Sequence, residues 1–295
     1  MNISTFIRVA FQGSRGAYSE QALHSMLDNA EAIPCMTFED VFSALKNKQA
    51  DMACIPIENS IAGRVADIHY LLPKYDVRIV AEHYQPIHHQ LLGVQGATLK
   101  DIQEVHSHIH ALGQCREIIK KHKLRVVVHT DTAGAAHDIA TLKDPTKAAV
   151  ASRLASKLYD LKILLEDIED TEHNITRFLL ITLANSSVLT KYPMPALGEW
   201  VITSLFFNVR SVPAALYKAI GGFATNGINL TKIESYITGP DFSVAQFYID
   251  VEGHPESKEM KHALDELFYF SSEVRLLGTY YASEFRKSGR EVKKN

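Results

Sequence analysis

The sequence predicts an α/β protein in which a larger domain with a parallel or mixed sheet is followed by a smaller ferredoxin-like unit. Three observations lead to this class. As far as Thr182, short apolar strands alternate with segments of helical spacing. The stretch Asn185–Glu199, which contains serines and prolines, then interrupts the pattern like a linker. After it, the chain follows the order βαββαβ.

In the first part, apolar runs and helix-start signals locate the elements. Gly13–Gly16 ends the first strand, and Thr37 with Asp40 forms a capping-box pattern that begins a helix. The predicted strands are Thr5–Phe11, Asp51–Ile57, Arg78–Ala81, His89–Val94, Arg125–Val128 and Arg177–Thr182. The predicted helices are Ala17–Leu27, Phe38–Lys46, Ala111–Lys121, Thr132–Leu142 and Ser152–Tyr159.

The second part is shorter and follows a simpler pattern. Two of its strands are joined by a turn predicted at Gly239–Asp241. The chain then ends in a segment rich in Arg and Lys, Glu284–Asn295, which is expected to be a solvated tail. In chain order the predicted elements are strand Trp200–Val209, helix Pro213–Thr225, strands Ile228–Ile237 and Phe242–Val251, helix Ser257–Phe270 and strand Val274–Tyr281.

Composition and charge exclude several classes of protein. The 295 residues carry a formal net charge of -3, which argues against a nucleic-acid-binding protein because such proteins usually have a basic excess. Cys35, Cys54 and Cys115 are too few and too far apart for a disulfide framework or a cysteine zinc site. No signal-peptide pattern occurs, and no apolar run approaches the ~20 residues that cross a bilayer. The sequence therefore predicts a cytoplasmic protein with no nucleic-acid and no membrane partner.

Several predicted helix N-termini carry small or polar residues at the strand ends where open α/β sheets bind ligands. Free amides at such positions suit carboxylates or phosphates, so together they favour a polar cleft for an anion. Gly13–Gly16 is not a dinucleotide fingerprint, because it lacks the first glycine of that motif. There is no P-loop and no GxSxG motif. The segments concerned are Gly13–Ser19, Pro56–Gly63, Ser107–Gln114, Asp131–Ala136 and Ala151–Arg153.

Six histidines lie close together in the sequence and raise the question of a metal site. His106, His108 and His110 alternate and would share one face of a strand, but only Asp101 and Glu104 accompany them. Solvent-exposed or capping histidines fit the pattern better, so no metal and no cofactor is predicted. The remaining three are His83, His88 and His89.

The densest group of chemically useful residues is Asn174–Phe178, at the start of the last predicted strand of the first part. Arg177 could bind a substrate carboxylate with two parallel hydrogen bonds, and Thr176 could donate a proton or a hydrogen bond. The same residues could equally form an ordinary strand start, with Arg177 paired to a nearby carboxylate. The residues alone leave both interpretations open.

Five segments of the first part resemble the prephenate dehydratases, and they occur in the same order along the chain as in those enzymes. A sixth, Gly227–Ser235, resembles the ACT regulatory domain of the same enzymes. An ordered set that extends over nearly the whole chain is far more specific than any one of its motifs. The five segments are Gly13–Glu20, Pro56–Ser60, Ser107–Cys115, Asp131–Ala136 and Asn174–Phe178.

The resemblance implies a two-lobed catalytic domain, similar to periplasmic binding proteins, with the active site between the lobes and an ACT domain after it. It also implies a monofunctional enzyme of phenylalanine biosynthesis, which converts prephenate to phenylpyruvate, water and carbon dioxide. The expected division is a catalytic domain at 1–185 (lobes about 1–80 plus 175–185, and 81–174), a linker at 186–198, the ACT domain at 199–282 and a charged tail at 283–295.

By resemblance, Thr176 is the essential residue and acts on the leaving hydroxyl as an acid or a hydrogen-bond donor. Loss of hydroxide and carbon dioxide makes the ring aromatic, so neutral donors that hold the substrate in an eliminating geometry suit the reaction. Asn59, Ser107 and Gln114 are the other expected catalytic residues. The expected substrate-binding residues are Glu58, Ser60, Thr132, Asn174, Arg177 and Phe178.

The ACT resemblance implies feedback regulation by L-phenylalanine, bound between the ACT domains of a homodimer or homotetramer. The chain departs from the family in two motifs of this region, where Ala214 replaces a glycine, and Tyr236 and Ile237 replace an Arg-Pro pair. In the catalytic part, Ile109 and His110 replace the family's Pro-Gln. The expected effector-binding residues are Ala215, Leu216, Asn229, Leu230 and Ser235.

Two alternatives from the sequence remain. An arogenate dehydratase would have the same fold and act on the aminated substrate, and no residue decides between the two. A two-lobed sensor would bind an anion without chemistry, which the Thr176–Phe178 set argues against. Turnover of prephenate and of arogenate distinguishes all three.

Overall fold

A computed structural model of the chain describes residues 6–209, 212–238 and 244–287. Its contacts divide it into two compact units, Met1–Val65 with His83–Phe178 and Ala66–Glu82 with Leu179–Asn295. The second unit thus includes a short segment from within the predicted catalytic domain, and the predicted boundary at residue 185 stays a prediction. In the parts described, no helix has the length and apolar character of a membrane span.

Strands and helices alternate over much of the chain from Ile7 to Leu183, as the sequence predicts, but three strands follow one another between Val77 and His108. The strands are β1 (Ile7–Gln12), β2 (Ala30–Cys35), β3 (Met52–Asn59), β4 (Gly63–Arg64), β5 (Val77–Pro86), β6 (Gln90–Gly93), β7 (Glu104–His108), β8 (Arg125–His129), β9 (Lys147–Ala151), β10 (Lys162–Leu165) and β11 (Ile175–Leu183). The helices are α1 (Tyr18–Met26), α2 (Phe38–Lys46), α3 (Ala66–Leu71), α4 (Ile109–Gly113), α5 (Arg116–His122), α6 (Thr132–Leu142) and α7 (Arg153–Leu158).

These strands form two sheets, and the lobe boundaries that the sequence predicts stay predictions. The first has the order β2-β1-β3-β11-β5, with β4 paired to β3. The second has the order β10-β6-β9-β7-β8. β1 runs parallel to β2 and β3, and β7 runs parallel to β8 and β9, whereas β6 is antiparallel to β9 and β10. Both a parallel arrangement and a mixed one were open, and the second sheet is mixed.

Two helices begin as their capping residues dictate. The Thr37 hydroxyl accepts from the Asp40 amide at 3.1 Å and the Asp40 carboxylate accepts from the Thr37 amide at 3.1 Å, which confirms the capping box of α2. At α6, the Asp131 carboxylate accepts from the Gly134 amide at 2.7 Å. Both helices have the bounds that the sequence predicts.

The single helix predicted over Ala111–Lys121 is wrong, because the chain forms α4 and α5 instead. Cys115 leaves the helical conformation, with φ -126° and ψ 32°. The Asp170 carboxylate then accepts from the amides of Arg116 at 2.8 Å and Glu117 at 3.1 Å, which starts a new helix. This break puts the half-buried Gln114 at the C-terminal end of α4 rather than in the middle of a longer helix.

The last part of the chain has the predicted order βαββαβ. Its four strands form an antiparallel sheet in the order β13-β14-β12-β15, and α8 and α9 pack on each other. Phe207, Phe223 and Ile249 are fully buried in its core. The elements are β12 (Val201–Val209), α8 (Ala215–Thr225), β13 (Leu230–Thr238), β14 (Val244–Glu252), α9 (Lys258–Phe270) and β15 (Ser271–Tyr281).

Other sequence predictions at this end have mixed outcomes. The predicted linker contains a short 3-10 helix, Ser187–Lys191, and the Ser186 hydroxyl caps it by accepting from the Val188 amide at 3.2 Å. The turn predicted at Gly239–Asp241 and the first residues of the strand predicted from Phe242 lie outside the described residues. The same holds for the predicted tail beyond Lys287. Within the described part of that tail, the prediction of a solvated segment is wrong for Arg286, because its guanidinium donates to the buried Glu82 carboxylate at 2.6 and 2.8 Å.

Candidate active site

Four of the predicted site residues, supplied by three elements, are joined by hydrogen bonds. Asn59 ends β3, Asn174 and Thr176 lie at the start of β11, and Gln114 ends α4. Asn59 Nδ2 donates to Asn174 Oδ1 at 2.7 Å and to Thr176 Oγ1 at 2.9 Å. Asn174 Nδ2 donates in turn to Gln114 Oε1 at 2.9 Å. The fold of the first unit therefore brings these four side chains together.

The backbone that follows β3 fixes the orientation of the Asn59 amide. Asn59 Oδ1 accepts from the amides of Ile61 at 2.9 Å and Ala62 at 2.8 Å, so Nδ2 must face Asn174 and Thr176. Because Thr176 Oγ1 accepts from Asn59, its own hydrogen is left for another partner. Among the described residues, no protein acceptor takes that hydrogen. Thr176 is therefore poised as a hydrogen-bond donor.

Ser60 locks the loop after β3 onto the start of β11. Its hydroxyl donates to the His173 carbonyl at 2.7 Å and accepts from the Ile175 amide at 2.9 Å. The Ser60 amide donates to the Ile175 carbonyl at 2.9 Å. These bonds hold Asn59 and Thr176 at a fixed separation, and the predicted contact of Ser60 with substrate stays a prediction.

Arg177 and Phe178 are buried in β11. The Arg177 side chain is 1% exposed, and its Nη1 lies 3.2 Å from Glu58 Oε1. Its guanidinium lies 5.9 Å from the centre of the Tyr84 ring. These contacts favour the interpretation in which Arg177 pairs with a nearby carboxylate. The contacts predicted for Glu58, Arg177 and Phe178 with a substrate stay predictions.

Ser107 and Thr132 belong to the second sheet and its helices. Ser107 is fully buried in β7, and its hydroxyl donates to the Val150 carbonyl at 2.6 Å, which ties β7 to β9. Thr132 begins α6, next to Asp131, whose carboxylate also accepts from the Ser14 hydroxyl at 2.9 Å. Within the described residues, neither side chain is hydrogen-bonded to the Asn59–Thr176 group. The catalytic role of Ser107 and the binding role of Thr132 stay predictions.

His89 was not among the predicted site residues, yet it bonds directly to one of them. Its Nε2 lies 2.9 Å from Gln114 Oε1, and its Nδ1 lies 2.8 Å from the Tyr18 hydroxyl. The side chain is 2% exposed, and burial lowers the pKa of His89, partly offset by its hydrogen bond to Gln114. The residues around His89, just before β6, do not indicate this contact, because Gln114 lies in another segment of the chain.

The expectation that the crowded histidines are solvent-exposed or capping is wrong for His89 and for His106. His106 is 6% exposed, and its Nδ1 lies 3.0 Å from His129 Nε2 of the neighbouring strand β8. Burial lowers the pKa of His106, which favours the neutral ring. The expectation is confirmed for His108, whose Nδ1 accepts from the His110 amide at the start of α4. His110 therefore lies on a helix and does not share a strand face with the other two.

The predicted effector residues lie in the second unit, in α8 and around the start of β13. Ala215 is the buried first residue of α8, and it follows Ala214, which adopts the left-handed conformation with φ 58°. Asn229 Nδ2 donates to Glu252 Oε2 at 3.1 Å. Leu216 packs partly on the core, and Ser235 is exposed on β13. Their role in binding an effector stays a prediction.

Comparison with known proteins identifies the family. The family model described as prephenate dehydratase matches residues 9–186. A bifunctional N-acyl-homoserine lactone acylase/prephenate dehydratase of Komagataeibacter europaeus is 44% identical, over 95% of this chain and 97% of that protein. The arogenate dehydratase/prephenate dehydratase 2 of Arabidopsis thaliana is 38% identical, over 93% of this chain and 72% of that protein.

A solved structure agrees with both sequence comparisons. The prephenate dehydratase of Arthrobacter aurescens in complex with L-Phe has a TM-score of 0.83 and 27% identity, and the match covers 97% of this chain and 98% of that chain. The two-lobed, periplasmic-binding-protein-like fold predicted for the catalytic part is the fold of this family. This chain belongs to the prephenate dehydratase family.

Proposed function

We propose that Thr176 and the side chains hydrogen-bonded to it perform the decarboxylating dehydration of prephenate to phenylpyruvate, water and carbon dioxide. The observation that carries this proposal is the Asn59–Thr176 hydrogen bond, in which the orientation of the Asn59 amide leaves the Thr176 hydrogen for a ligand. Membership of the prephenate dehydratase family supports the reaction class, a carbon–oxygen lyase of phenylalanine biosynthesis.

The chemistry requires little more than placement and a donor for the leaving group. The bond between the ring and its carboxylate breaks to release carbon dioxide, and the electron pair left on the ring makes it aromatic and expels the hydroxyl group. The departing hydroxide takes up one proton, ultimately from solvent, to become water, and the aromatic ring makes the reaction favourable. A hydrogen bond from Thr176 to the departing oxygen strengthens as negative charge develops there, so it stabilises the transition state more than the substrate. The two N–H groups of Gln114 Nε2 are further neutral donors, because the described protein groups bind only Gln114 Oε1.

Neutral donors also avoid a cost that a cationic pocket would bring. The departing carboxylate loses its charge in the transition state, so a lysine or arginine bound to it would stabilise the substrate more than the transition state. Arg177 is 1% exposed and paired with Glu58, which keeps its charge away from an open surface. We propose that Ser107 assists catalysis and that the substrate site is shaped by Glu58, Ser60, Thr132, Asn174, Arg177 and Phe178. In this proposal Arg177 supports the site through its pairing with Glu58 and does not present its charge to the departing carboxylate.

The test of this function is turnover by the purified protein, measured with prephenate and with arogenate. We expect phenylpyruvate from prephenate, with a higher kcat/KM than for arogenate. A higher kcat/KM with arogenate would show that arogenate, and not prephenate, is the preferred substrate. The names of the plant relatives include arogenate dehydratase. Binding of prephenate without formation of phenylpyruvate would contradict the enzyme and favour the anion-binding sensor.

A second candidate activity rests on one relative, which is named for N-acyl-homoserine lactone acylase as well as prephenate dehydratase. That relative is 44% identical along nearly its whole length, so the present chain is a fair candidate for both reactions. Release of homoserine lactone from an N-acyl homoserine lactone is the assay. The Thr176→Val variant serves as the control, because it separates an acylase that uses this site from one that does not.

We also propose feedback regulation by L-phenylalanine through the ACT-like unit, which the L-Phe complex of the Arthrobacter aurescens protein supports. L-Phenylalanine at millimolar concentration is expected to lower kcat/KM for prephenate by about tenfold, the usual scale of allosteric coupling. Ala214→Gly restores the family's glycine at a left-handed position and is expected to lower the concentration needed for half-inhibition. Unchanged activity in both proteins would contradict the regulation.

The edge strand β13 of the ACT-like unit carries exposed apolar residues that favour assembly. β13 is an edge strand of its sheet, and Ile233 and Ile237 on it are 45% and 61% exposed. Apolar side chains on an open edge strand favour pairing with a second copy, so we propose a homodimer or a homotetramer formed through the ACT units. We place the enzyme in the cytoplasm, and we retain residues 1–185 as the catalytic domain and 199–282 as the ACT domain.

A further inference from the structure

The buried side chain of His89 contacts Gln114 of the candidate active site and has no part in the reaction as proposed above. It lies immediately before β6 and is held by its backbone on both sides, since its amide donates to Glu169 Oε2 at 2.8 Å and its carbonyl accepts from the Ile168 amide at 2.8 Å. The ring packs edge-on against Tyr18, with the ring centres 5.5 Å apart. A buried, fixed imidazole with both nitrogens engaged has little freedom to reorient.

The hydrogen on His89 can be placed by following donors and acceptors along the chain of amides. Asn59 Nδ2 donates to Asn174 Oδ1, because Asn59 Oδ1 is occupied by two backbone amides. Asn174 must then present Nδ2 to Gln114, whose Oε1 accepts from it. Gln114 Oε1 cannot donate, so the His89 nitrogen that faces it, Nε2, must carry a hydrogen.

The other ring nitrogen supports the same assignment. Burial lowers the pKa of His89, so the neutral ring is favoured and Nδ1 is then an acceptor. The Tyr18 hydroxyl lies 2.8 Å from Nδ1 and 3.0 Å from the His88 carbonyl oxygen, so these two acceptors share its single hydrogen. The Tyr18 contact is compatible with the form of His89 in which Nε2 carries the hydrogen, and it is the Gln114 oxygen that requires this form.

Two donors converge on one oxygen, and this determines what Gln114 can offer. Gln114 Oε1 accepts from His89 and from Asn174, both at 2.9 Å, so the amide plane and its orientation are fixed. In the described part of the chain, no protein acceptor takes a hydrogen from Gln114 Nε2. Without His89, the Gln114 amide would keep only one anchor and could rotate.

We propose that His89 is a positioning residue for the dehydration: its Nε2–H holds the Gln114 side chain in the orientation that presents Gln114 Nε2 to the substrate. This role rests on the proposed function of the Asn59–Thr176 site. It acts on the reaction through Gln114 and not by contact with the reacting atoms. Small errors in the placement of such a donor carry a large cost in rate.

The test compares two substitutions of His89, one that keeps a donor near the position of Nε2 and one that does not. His89→Gln places an amide donor near the position of Nε2 and is expected to keep kcat within about fivefold of the parent protein. His89→Asn is too short to reach Gln114, and kcat is expected to fall by about 10²-fold. His106→Asn is the matched control, because His106 is also buried but bonds to His129 and Glu104, and its kcat should not change.

A double-mutant cycle separates positioning from general damage to the fold. In a Gln114→Ala background, His89→Asn is expected to lower kcat by no more than about twofold, since the group that His89 acts through is gone. Full, multiplicative loss in that background would overturn the proposal, as would parent-like kcat in His89→Asn. Failure of the proposed function itself would appear differently, as parent-like turnover in Thr176→Val.

Discussion

Replacing Thr176 with valine is expected to lower kcat/KM for prephenate by about 10²–10⁴-fold, the usual contribution of a positioned proton donor. Valine keeps the shape of threonine but has no hydroxyl, so the hydrogen bond to the departing oxygen is lost. Thr176→Ala is expected to lose most activity for the same reason. Thr176→Ser is expected to keep substantial activity, because the serine hydroxyl can still accept from Asn59 Nδ2 and donate to the substrate.

Steady-state kinetics of the four proteins check this order, with the thermal unfolding midpoint as the control for folding. Thr176 is half-buried at the start of β11, so Thr176→Val should leave the midpoint nearly unchanged. Turnover of prephenate by Thr176→Val at the parent rate would show that the hydroxyl has no part in the reaction. Equal loss in Thr176→Ser and Thr176→Val would instead point to packing of the side chain.

Local signals in the sequence were enough for most of the fold. The capping box of Thr37 and Asp40 gave α2 with its observed bounds, and apolar runs gave β12 and β15 to within a few residues. The strands β2, β4, β7, β9 and β10 were missed. In β2 the apolar residues are interrupted by Glu31 and Pro34. The split between α4 and α5 was missed because the carboxylate that causes it, on Asp170, lies far away in the sequence.

The site was predictable where motifs from different segments could be placed in order, and not where the contact depended on packing. Asn59, Gln114, Asn174 and Thr176 were expected together, and the structure joins them by hydrogen bonds. His89 was assigned with its neighbours to an exposed or capping role, because nothing in the residues around it shows that its ring faces Gln114. Which amide group donates and which accepts depends on the three-dimensional arrangement. The sequence therefore did not indicate how the hydrogen bonds run from Asn59 through Asn174 to Gln114.

Replacing Gly278 with alanine is expected to lower the free energy of unfolding by about 1–3 kcal/mol or more, the cost of overpacking a rigid site. A Cβ on Gly278 would overlap the carbonyl oxygen of Ile79 on β5, within the second unit. That oxygen belongs to the backbone, so it cannot rotate away as a side chain would. The clash alone causes the loss, because the backbone of Gly278 is not in the left-handed region.

Backbone movement is also restricted on the β5 side of this contact. Arg275 Nη2, on the same strand as Gly278, donates to the carbonyls of Leu72 at 3.0 Å, Pro73 at 3.1 Å and Tyr75 at 2.9 Å. Arg78 Nη1 donates to the Leu276 carbonyl at 3.1 Å. These bonds hold the segment before Ile79 against β15, so relieving the clash means breaking several of them.

Urea unfolding measures the effect, and a second glycine supplies the control. Gly221 lies inside α8, and a Cβ built on it meets nothing within 4 Å. Gly221→Ala is therefore expected to raise the free energy of unfolding by about 0.5–1 kcal/mol, the gain from removing a glycine from a helix interior. If both substitutions changed stability by the same amount and sign, the close approach of β15 to β5 would not be present in solution. Opposite signs would confirm that the glycine is required at Gly278 because two backbones meet there, which is the meaning of a glycine inside a strand.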